Sequence, residues 1–264
     1  PTLFAVLFAI ATAAWLASAW LFKGIREGVT KQEQKGLPQG TNYLRDVFDD
    51  IVDLVRSDRD FRRFVLVRSL LLASALSPTF LVTMANQQSV TEESSLASAI
   101  FTGLGTFVIA SGVASLLAGR ISGLLSDVSS RNTLSGAALL ATIVLIVTVV
   151  LSYVSSLSDA HAWTTALVWW LPIAFFIISL AHPAIRVARS TYIVDMAEGT
   201  QRTRYVSVAN TLMGVLLLIV GALTSVLALV SPEVALAALA LFGLLGAALS
   251  KTLPEVSVGK NKIS

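Results

Sequence analysis

Long stretches without a charged residue constrain this chain more than any other feature. Asp, Glu, Lys and Arg are absent from seven of them, which cover residues 1–22, 69–91, 94–119, 132–158, 160–185, 205–232 and 234–250. A helix needs about 20 predominantly apolar residues to cross a bilayer, and six of the seven stretches are longer than this. The sequence therefore predicts an all-α integral membrane protein with seven transmembrane helices.

The composition excludes several other classes of protein. Charged residues make up only 13% of the chain, against roughly 25% in an ordinary soluble domain. The apolar stretches are too long and continuous to be strands of an outer-membrane barrel. The chain has no cysteine and two distant histidines, His161 and His182, which excludes disulfide scaffolds and histidine- or cysteine-rich metal sites. No cofactor, metal or nucleic acid is expected as a partner.

The basic residues indicate which side of the membrane each connection occupies. All 19 Lys and Arg residues lie in alternate connections, ten of them between Lys23 and Arg68. The other connections contain none. Cytoplasmic loops carry the excess of Lys and Arg. We therefore expect a multi-pass protein of the cytoplasmic (inner) membrane, with the N-terminus of this chain outside and its C-terminus cytoplasmic.

The segment between the first two apolar stretches divides into a linker and a helix. Residues 23–60 are predicted to be cytoplasmic, and 43–56 has apolar residues at intervals of three and four, opposite several Asp residues. We interpret 43–56 as a helix on the protein's own cytoplasmic face, since an interfacial membrane helix would favour Lys and Arg. A six-helix bundle over 61–250 and a cytoplasmic tail over 251–264 complete the predicted organisation.

Two spans carry small residues at helical intervals, a pattern that lets helix backbones approach closely in membranes. The residues are Ser111, Ser115, Gly119 and Gly123 in one span, and Gly214, Gly221 and Ser225 in another. We expect both lines to serve helix packing.

The end of the third span carries the motif Gly123-x3-Asp127-x3-Arg131. It resembles the cytoplasmic loop motif of the major facilitator superfamily, Gly-x3-Asp-(Arg/Lys)-x-Gly-(Arg/Lys)-(Arg/Lys). Three positions depart from that motif, namely Val128, Ser130 and Asn132. The motif follows the second helix after a long basic linker, which is where the second half of that family places its copy.

The resemblance implies the architecture of the whole chain. Residues 1–22, which begin inside an apolar run, are expected to be the last helix of a preceding half of a longer protein. The six spans over 61–250 would be the second half, built as a 3+3 inverted repeat. A second cluster resembles a loop of bacterial permeases of this superfamily, between the fifth and sixth of the seven helices: Arg189, Tyr192, Asp195, Arg202, Tyr205 and Asn210. Gating and ordinary bracing by ion pairs both remain open for it.

The resemblance also implies a function, a secondary transporter that moves a small solute by alternating access. The cavity would lie between this half and a missing N-terminal six-helix half, and Gly123, Asp127 and Arg131 would hold the cytoplasmic side shut. The first helix of each triplet would line the cavity, which makes their polar faces candidates: Arg68, Thr79, Thr83, Asn86, Thr165, Trp169, Phe175, Ser179 and His182.

Several alternatives stay open at this point. Arg68 is near enough to the predicted boundary to reach the membrane interface, and His182 is interpreted either as a titrating group or as a hydrogen-bonded one. Pro78 is expected to kink its helix. A seven-helix receptor or sensor is the alternative function, whereas the spans show no cluster of residues typical of an enzyme.

Overall fold

The computed structural model describes residues 2–23, 43–91, 103–157, 161–197 and 201–256. Across these ranges the chain forms nine α-helices and no strand. They are α1 (Thr2–Lys23), α2 (Tyr43–Ser57), α3 (Arg59–Leu70), α4 (Ala73–Thr91), α5 (Leu104–Val128), α6 (Ser130–Leu157), α7 (His161–Met196), α8 (Gln201–Ala228) and α9 (Pro232–Ser250). The chain separates into two compact units, Pro1–Asp50 and Ile51–Ser264.

Six helical segments of the described chain are long and apolar enough to cross a membrane. They are Arg59–Gln87, which joins α3 and α4, and Leu104–Val128, Ser130–Leu157, Ala162–Met196, Gln201–Ala228 and Pro232–Ser250. The all-α class is confirmed over the described residues, and the chain is a multi-pass membrane protein. The span predicted over 1–22 is helical as α1, but it is not one of these six, so its crossing of the membrane stays a prediction.

The first span is interrupted at Leu71 and Leu72, between α3 and α4. The backbone changes there to bonds between residues three apart, such as Leu72 N–H to Ser69 O at 3.2 Å, which tighten a helix end. Pro78 lies inside α4, so the interruption comes about two turns before the proline. Both leucine side chains at the break are buried, so the interruption lies inside the packed bundle.

Two clusters of buried apolar residues form the interior of the larger unit. One joins α4, α5, α6, α7 and α9 through side chains that include Leu81, Leu145, Leu171 and Leu239. The other joins α3, α6, α7, α8 and α9 and includes Phe61, Phe64, Tyr192 and Leu253. α2 belongs to the second cluster through Leu54, which is buried.

Packing among the six spans follows their division into two triplets, the first formed by α3–α4, α5 and α6 and the second by α7, α8 and α9. α6 packs extensively on α7, and α9 packs on α3 and α4. The third span of each triplet therefore contacts the first span of the other. The two first spans also contact each other, as do the two third spans.

The order of buried and exposed spans is the same in both triplets. In the most apolar 18-residue part of each span, the buried share of residues is 44%, 17% and 44% along the first triplet. Along the second triplet it is 44%, 11% and 44%. The second span of each triplet, α5 and α8, is thus the exposed one.

The predicted lines of small residues do not lie at helix contacts within this chain. A methyl group added at Gly119 or Gly123 of α5 would meet no atom within 4 Å, and the same holds for Gly214 and Gly221 of α8. α5 packs mainly on α7, and it does so through a different line of residues: Phe107, Ala114, Ala118, Ser122 and Ser126. Among the described residues these glycine lines make no close helix contact, and their role in helix packing stays a prediction.

Candidate functional site

The candidate cavity residues of α4 lie on its exposed side. Thr79, Thr83 and Asn86 are all exposed, and the Thr83 hydroxyl donates to the backbone oxygen of Thr79 at 3.0 Å. Thr83 and Asn86 line an open cavity of about 390 Å³ with Val82 and Gln87. This part of α4 thus presents polar groups to a space that the described residues leave unfilled.

The candidates on α7 divide into two groups. Thr165 and Trp169 are exposed, and Ser179 and His182 are half-buried. Phe175 is only 9% exposed, so it is the buried member of this set, and its role in a cavity stays a prediction.

The reason is the packing of α5 on α7. The Phe175 ring meets that of Phe107 edge to face, with 5.0 Å between ring centroids. The aromatic pair is buried in the apolar core.

Arg68 joins the first span to α8. Its Nη2 donates to Oδ1 of Asn210 at 2.7 Å, across 142 positions of sequence. The side chain is 9% exposed, so its guanidinium lies between helices and does not extend to the interface as an anchor would. Its Nε is buried and has no hydrogen-bond partner among the described residues.

His182 is hydrogen-bonded to α4. Its Nδ1 lies 3.3 Å from Oγ of Ser74, and the Ser74 hydroxyl donates to the backbone oxygen of Leu71 at 3.0 Å. A hydroxyl that donates elsewhere can only accept from the ring, so this network assigns the proton to Nδ1 of His182. The contact favours the hydrogen-bonded interpretation of His182.

The loop cluster predicted between two spans is largely helical. α7 continues to Met196, so Arg189, Tyr192 and Asp195 lie on this helix and not in a turn, and the predicted helix end at 185 is wrong. At 36 residues α7 is about 54 Å long, well beyond the roughly 30 Å hydrocarbon core. The buried aromatic side chains at its end stabilise the extension.

Tyr192 shows how that extension is held. Its ring is fully buried and stacks on Phe64, with 5.2 Å between centroids. Its hydroxyl donates to the backbone oxygen of Pro254 at 2.9 Å. The end of α7 is therefore packed between α3 and the segment that follows α9.

The remaining cluster residues lie on α8. Arg202 is exposed, and Asn210 accepts the bond from Arg68 described above. The Tyr205 hydroxyl donates to Oδ2 of Asp58 at 2.5 Å, and its ring meets Phe61 edge to face at 5.0 Å.

Asp58 is the N-cap of α3. Its Oδ1 accepts the N–H groups of Asp60 at 2.9 Å and Phe61 at 3.0 Å, the usual role of an aspartate at this position. Burial raises the pKa of this carboxyl, but the bonds from Tyr205, Phe61 and Asp60 together outweigh burial and leave the pKa below its ordinary value. The charged form of Asp58 is therefore the one that braces this junction.

In the gating motif, Arg131 contacts the C-terminal segment and not Asp127, which lies four positions before it. Arg131 directs Nε to Oε2 of Glu255 at 3.3 Å and donates from Nη1 to the backbone oxygen of Leu253 at 3.3 Å. Asp127 is exposed. Ser129 has extended backbone between α5 and α6, which places Asp127 and Arg131 on different helices and turns Arg131 toward the C-terminal segment.

Residues 253–256 are a part of the site that the sequence did not reveal. The Ser129 hydroxyl donates to Oε2 of Glu255 at 2.7 Å, and Leu253 is buried in the second apolar cluster. With the bond from Tyr192 to Pro254, this segment ties α5, α6 and α7 together. The one indication in the sequence was an apolar residue and an acid, Leu253 and Glu255, ahead of a basic tail.

The charged groups near the cavity candidates are basic. Arg189 acts on Arg68 as a like charge, Arg186 acts on Arg189, and both act on His182. Nowhere in the described ranges do three or more metal-ligating side chains converge. Comparison of the chain with protein-family models, curated proteins and solved structures gives no match. Any statement of function therefore rests on the chain's own geometry.

Proposed function

We propose that this chain forms one half of a secondary transporter of the major facilitator type, which moves a small solute across the cytoplasmic membrane by alternating access. The observation that carries the proposal is the repeated order of burial, 44%, 17%, 44% and then 44%, 11%, 44%. Contacts between the first and third spans are also repeated when the two triplets are exchanged. A pseudo-two-fold relation between triplets is the plan on which many secondary transporters are built.

The exposed second spans support a missing partner half. Lipid can cover apolar side chains, but small residues in membrane helices typically serve close contact with another helix. Gly119 and Gly123 on α5, and Gly214 and Gly221 on α8, have open space where such a helix would fit. We propose that the N-terminal six-helix half covers these two lines.

Asp127 has a place in this arrangement. Its carboxylate is exposed at the end of α5 beside Gly123 and Leu124, and Arg131 contacts Glu255 instead. An exposed carboxylate is attracted to the N-terminus of a facing helix by roughly 0.3–1 kcal/mol. We propose that this contact, made only when the cytoplasmic side is closed, contributes to the gate.

The seven-helix receptor has less support. The long polar segment that follows the first apolar stretch carries most of the charge density of the chain, which does not favour a receptor. The proposed orientation, with the N-terminus of this chain outside and the C-terminus inside, rests on the distribution of Lys and Arg.

Single-cysteine labelling tests the proposal, because this chain contains no cysteine. In the complete protein that includes it, with any other cysteines replaced by Ser, Thr79→Cys should react with a membrane-impermeant maleimide from either side of the membrane. Ile143→Cys, an exposed apolar position of α6, is the matched control and should react from neither side.

The proposed gate predicts from which side labelling should increase. Asp127→Asn should increase labelling of Thr79→Cys from the cytoplasmic side, about tenfold if the lost contact is worth about 1.4 kcal/mol. Labelling of Thr79→Cys from one side only, whatever the conditions, would contradict alternating access and favour a receptor.

A further inference from the structure

Three basic side chains share one face of α7. His182, Arg186 and Arg189 are spaced by four and three residues, which brings them to the same side of a helix. Arg68, from α3, is close enough for Arg189 to act on it electrostatically. The four form a basic face that joins α3, α7 and α8 through the bond from Arg68 to Asn210.

In the described part of the chain, no ion pair compensates the two inner arginines of this basic face. Neither Arg68 nor Arg189 takes part in an ion pair with any described residue. The Nε of each is buried and has no hydrogen-bond partner in the described part of the chain. Buried donors in folded proteins are nearly always paired, and buried charges are paired or coordinated, so two such groups together point to an anion.

The geometry of the groups defines the class of anion. A guanidinium presents its N–H donors as a planar fork, which matches the two oxygens of a carboxylate or phosphate. Asn210 accepts a hydrogen bond from Nη2 of Arg68, and this bond fixes the plane of the guanidinium. The N–H group at Nε remains available to a ligand. Arg189 offers a second Nε from the neighbouring helix.

We propose that Arg68 and Arg189 bind the carboxylate or phosphate group of the solute, so that the transported substrate is an organic or inorganic oxyanion. Transport of this anion rests on the proposed function, whereas its binding rests on the two arginines. His182, held by Ser74, and Arg186, which is exposed, continue the basic face along α7.

An anionic lipid offers the same phosphate chemistry. Arg186 is exposed and could meet a headgroup, but Arg68 is buried among helices and bonded to α8. That position favours a ligand that enters between the helices over one that stays at the interface. The experiment below separates the two sources.

Thermal unfolding of the complete protein in a neutral maltoside detergent tests the site with two probes, inorganic phosphate and succinate, against chloride at equal ionic strength. Either probe or both should raise the unfolding temperature, because a ligand that binds the folded state stabilises it. Arg68→Gln and Arg189→Gln should weaken the apparent affinity at least about tenfold, the effect of losing a hydrogen bond to a charged group. Arg120→Gln, an exposed arginine of α5, is the matched control and should bind as the parent does.

The unfolding temperature without added anion distinguishes an arginine that binds a ligand from one that only stabilises the fold. Without added anion, Arg189→Gln should unfold at a higher temperature than the parent, because it removes a like charge beside Arg68 and a half-buried charge that has no ion-pair partner among the described residues. A bracing arginine would give a lower temperature. If a glutamine variant does not fold, Asn210→Asp supplies a carboxylate to Arg68 in nearly the same shape, and it should likewise lower the affinity for phosphate and succinate.

Three results would overturn the inference. One is no stabilisation of the parent by either probe beyond that of chloride. Another is equal stabilisation of the parent and both glutamine variants. The third is stabilisation by nanodiscs that contain phosphatidylglycerol but by neither dissolved anion, which would assign the site to a lipid.

The two proposals fail separately. If the probes bind but Thr79→Cys reacts from one side only, the oxyanion site stands and the transporter does not. If Thr79→Cys reacts from both sides and neither probe binds, the transporter stands and this inference fails.

Discussion

The hydrogen bond between Tyr205 and Asp58 shows how much one pair of side chains contributes at the cytoplasmic junction. Tyr205→Phe keeps the ring contact with Phe61 and removes only the hydroxyl. We expect this change to lower the free energy of unfolding at neutral pH by about 1 kcal/mol, since the hydrogen bond has a charged acceptor but is partly exposed. Thermal unfolding of the purified protein measures it.

The pH dependence of that difference has a defined sign. The folded-state pKa of Asp58 is below the ordinary value of 3.8. The stabilisation it contributes is therefore present above pH 3.8 and is lost as the pH falls through the lower folded-state pKa. The gap between the parent and Tyr205→Phe should narrow over that range. Tyr153→Phe, at an exposed tyrosine, should show no gap at any pH, and a gap for Tyr205→Phe that stays constant to acid pH would contradict the role of the charge.

At the scale of whole helices, α9 closely approaches the break between α3 and α4. A methyl group added at Gly246 would lie 2.8 Å from Cδ2 of Leu71 and 3.1 Å from Cβ of Leu70. A Cβ atom cannot rotate away, so Gly246→Ala should force the helices apart. We expect it to destabilise the bundle by about 1–3 kcal/mol, the cost of overpacking, as measured by thermal unfolding.

A matched glycine distinguishes packing from helix propensity. Gly136 of α6 is exposed and has no atom within 4 Å of an added methyl group. Gly136→Ala should be neutral or stabilising by up to about 1 kcal/mol, because alanine favours a helix. Equal effects of the two substitutions would show that α9 does not approach the break as closely as described.

For the molecule as a whole, the distribution of Lys and Arg predicts the orientation in the membrane. A reporter that is active only in the cytoplasm should be active when fused at Gly36 or Gly199, and a reporter fused at Asp159 should be extracytoplasmic. These three positions lie outside the described residues, so the prediction depends on the basic residues alone. A cytoplasmic Asp159 fusion would reverse the topology and remove the basis of the proposed gate.

The sequence by itself determined the class of the molecule and the approximate places of its spans. A charge-free run of about 20 residues has few alternatives to a membrane helix, because lipid cannot satisfy an unpaired backbone. This reasoning needs no tertiary contact, so it located all six spans of the larger unit. The same reasoning placed the end of α7 too early, at the first charged residues. The stacked rings of Tyr192 and Phe64 stabilise the helix beyond that point.

Only the tertiary structure decided which side chains meet. Helical spacing predicted that Phe175 and His182 share one face of α7. In the structure, α5 packs over Phe175, whereas His182 is hydrogen-bonded to Ser74 of α4. Asp127 is near Arg131 in sequence, whereas the fold brings Glu255 to Arg131 from 124 residues away. Contacts between distant segments depend on how helices pack, and local spacing does not contain that information, so the basic face around Arg68 and Arg189 emerged only once the bundle was assembled.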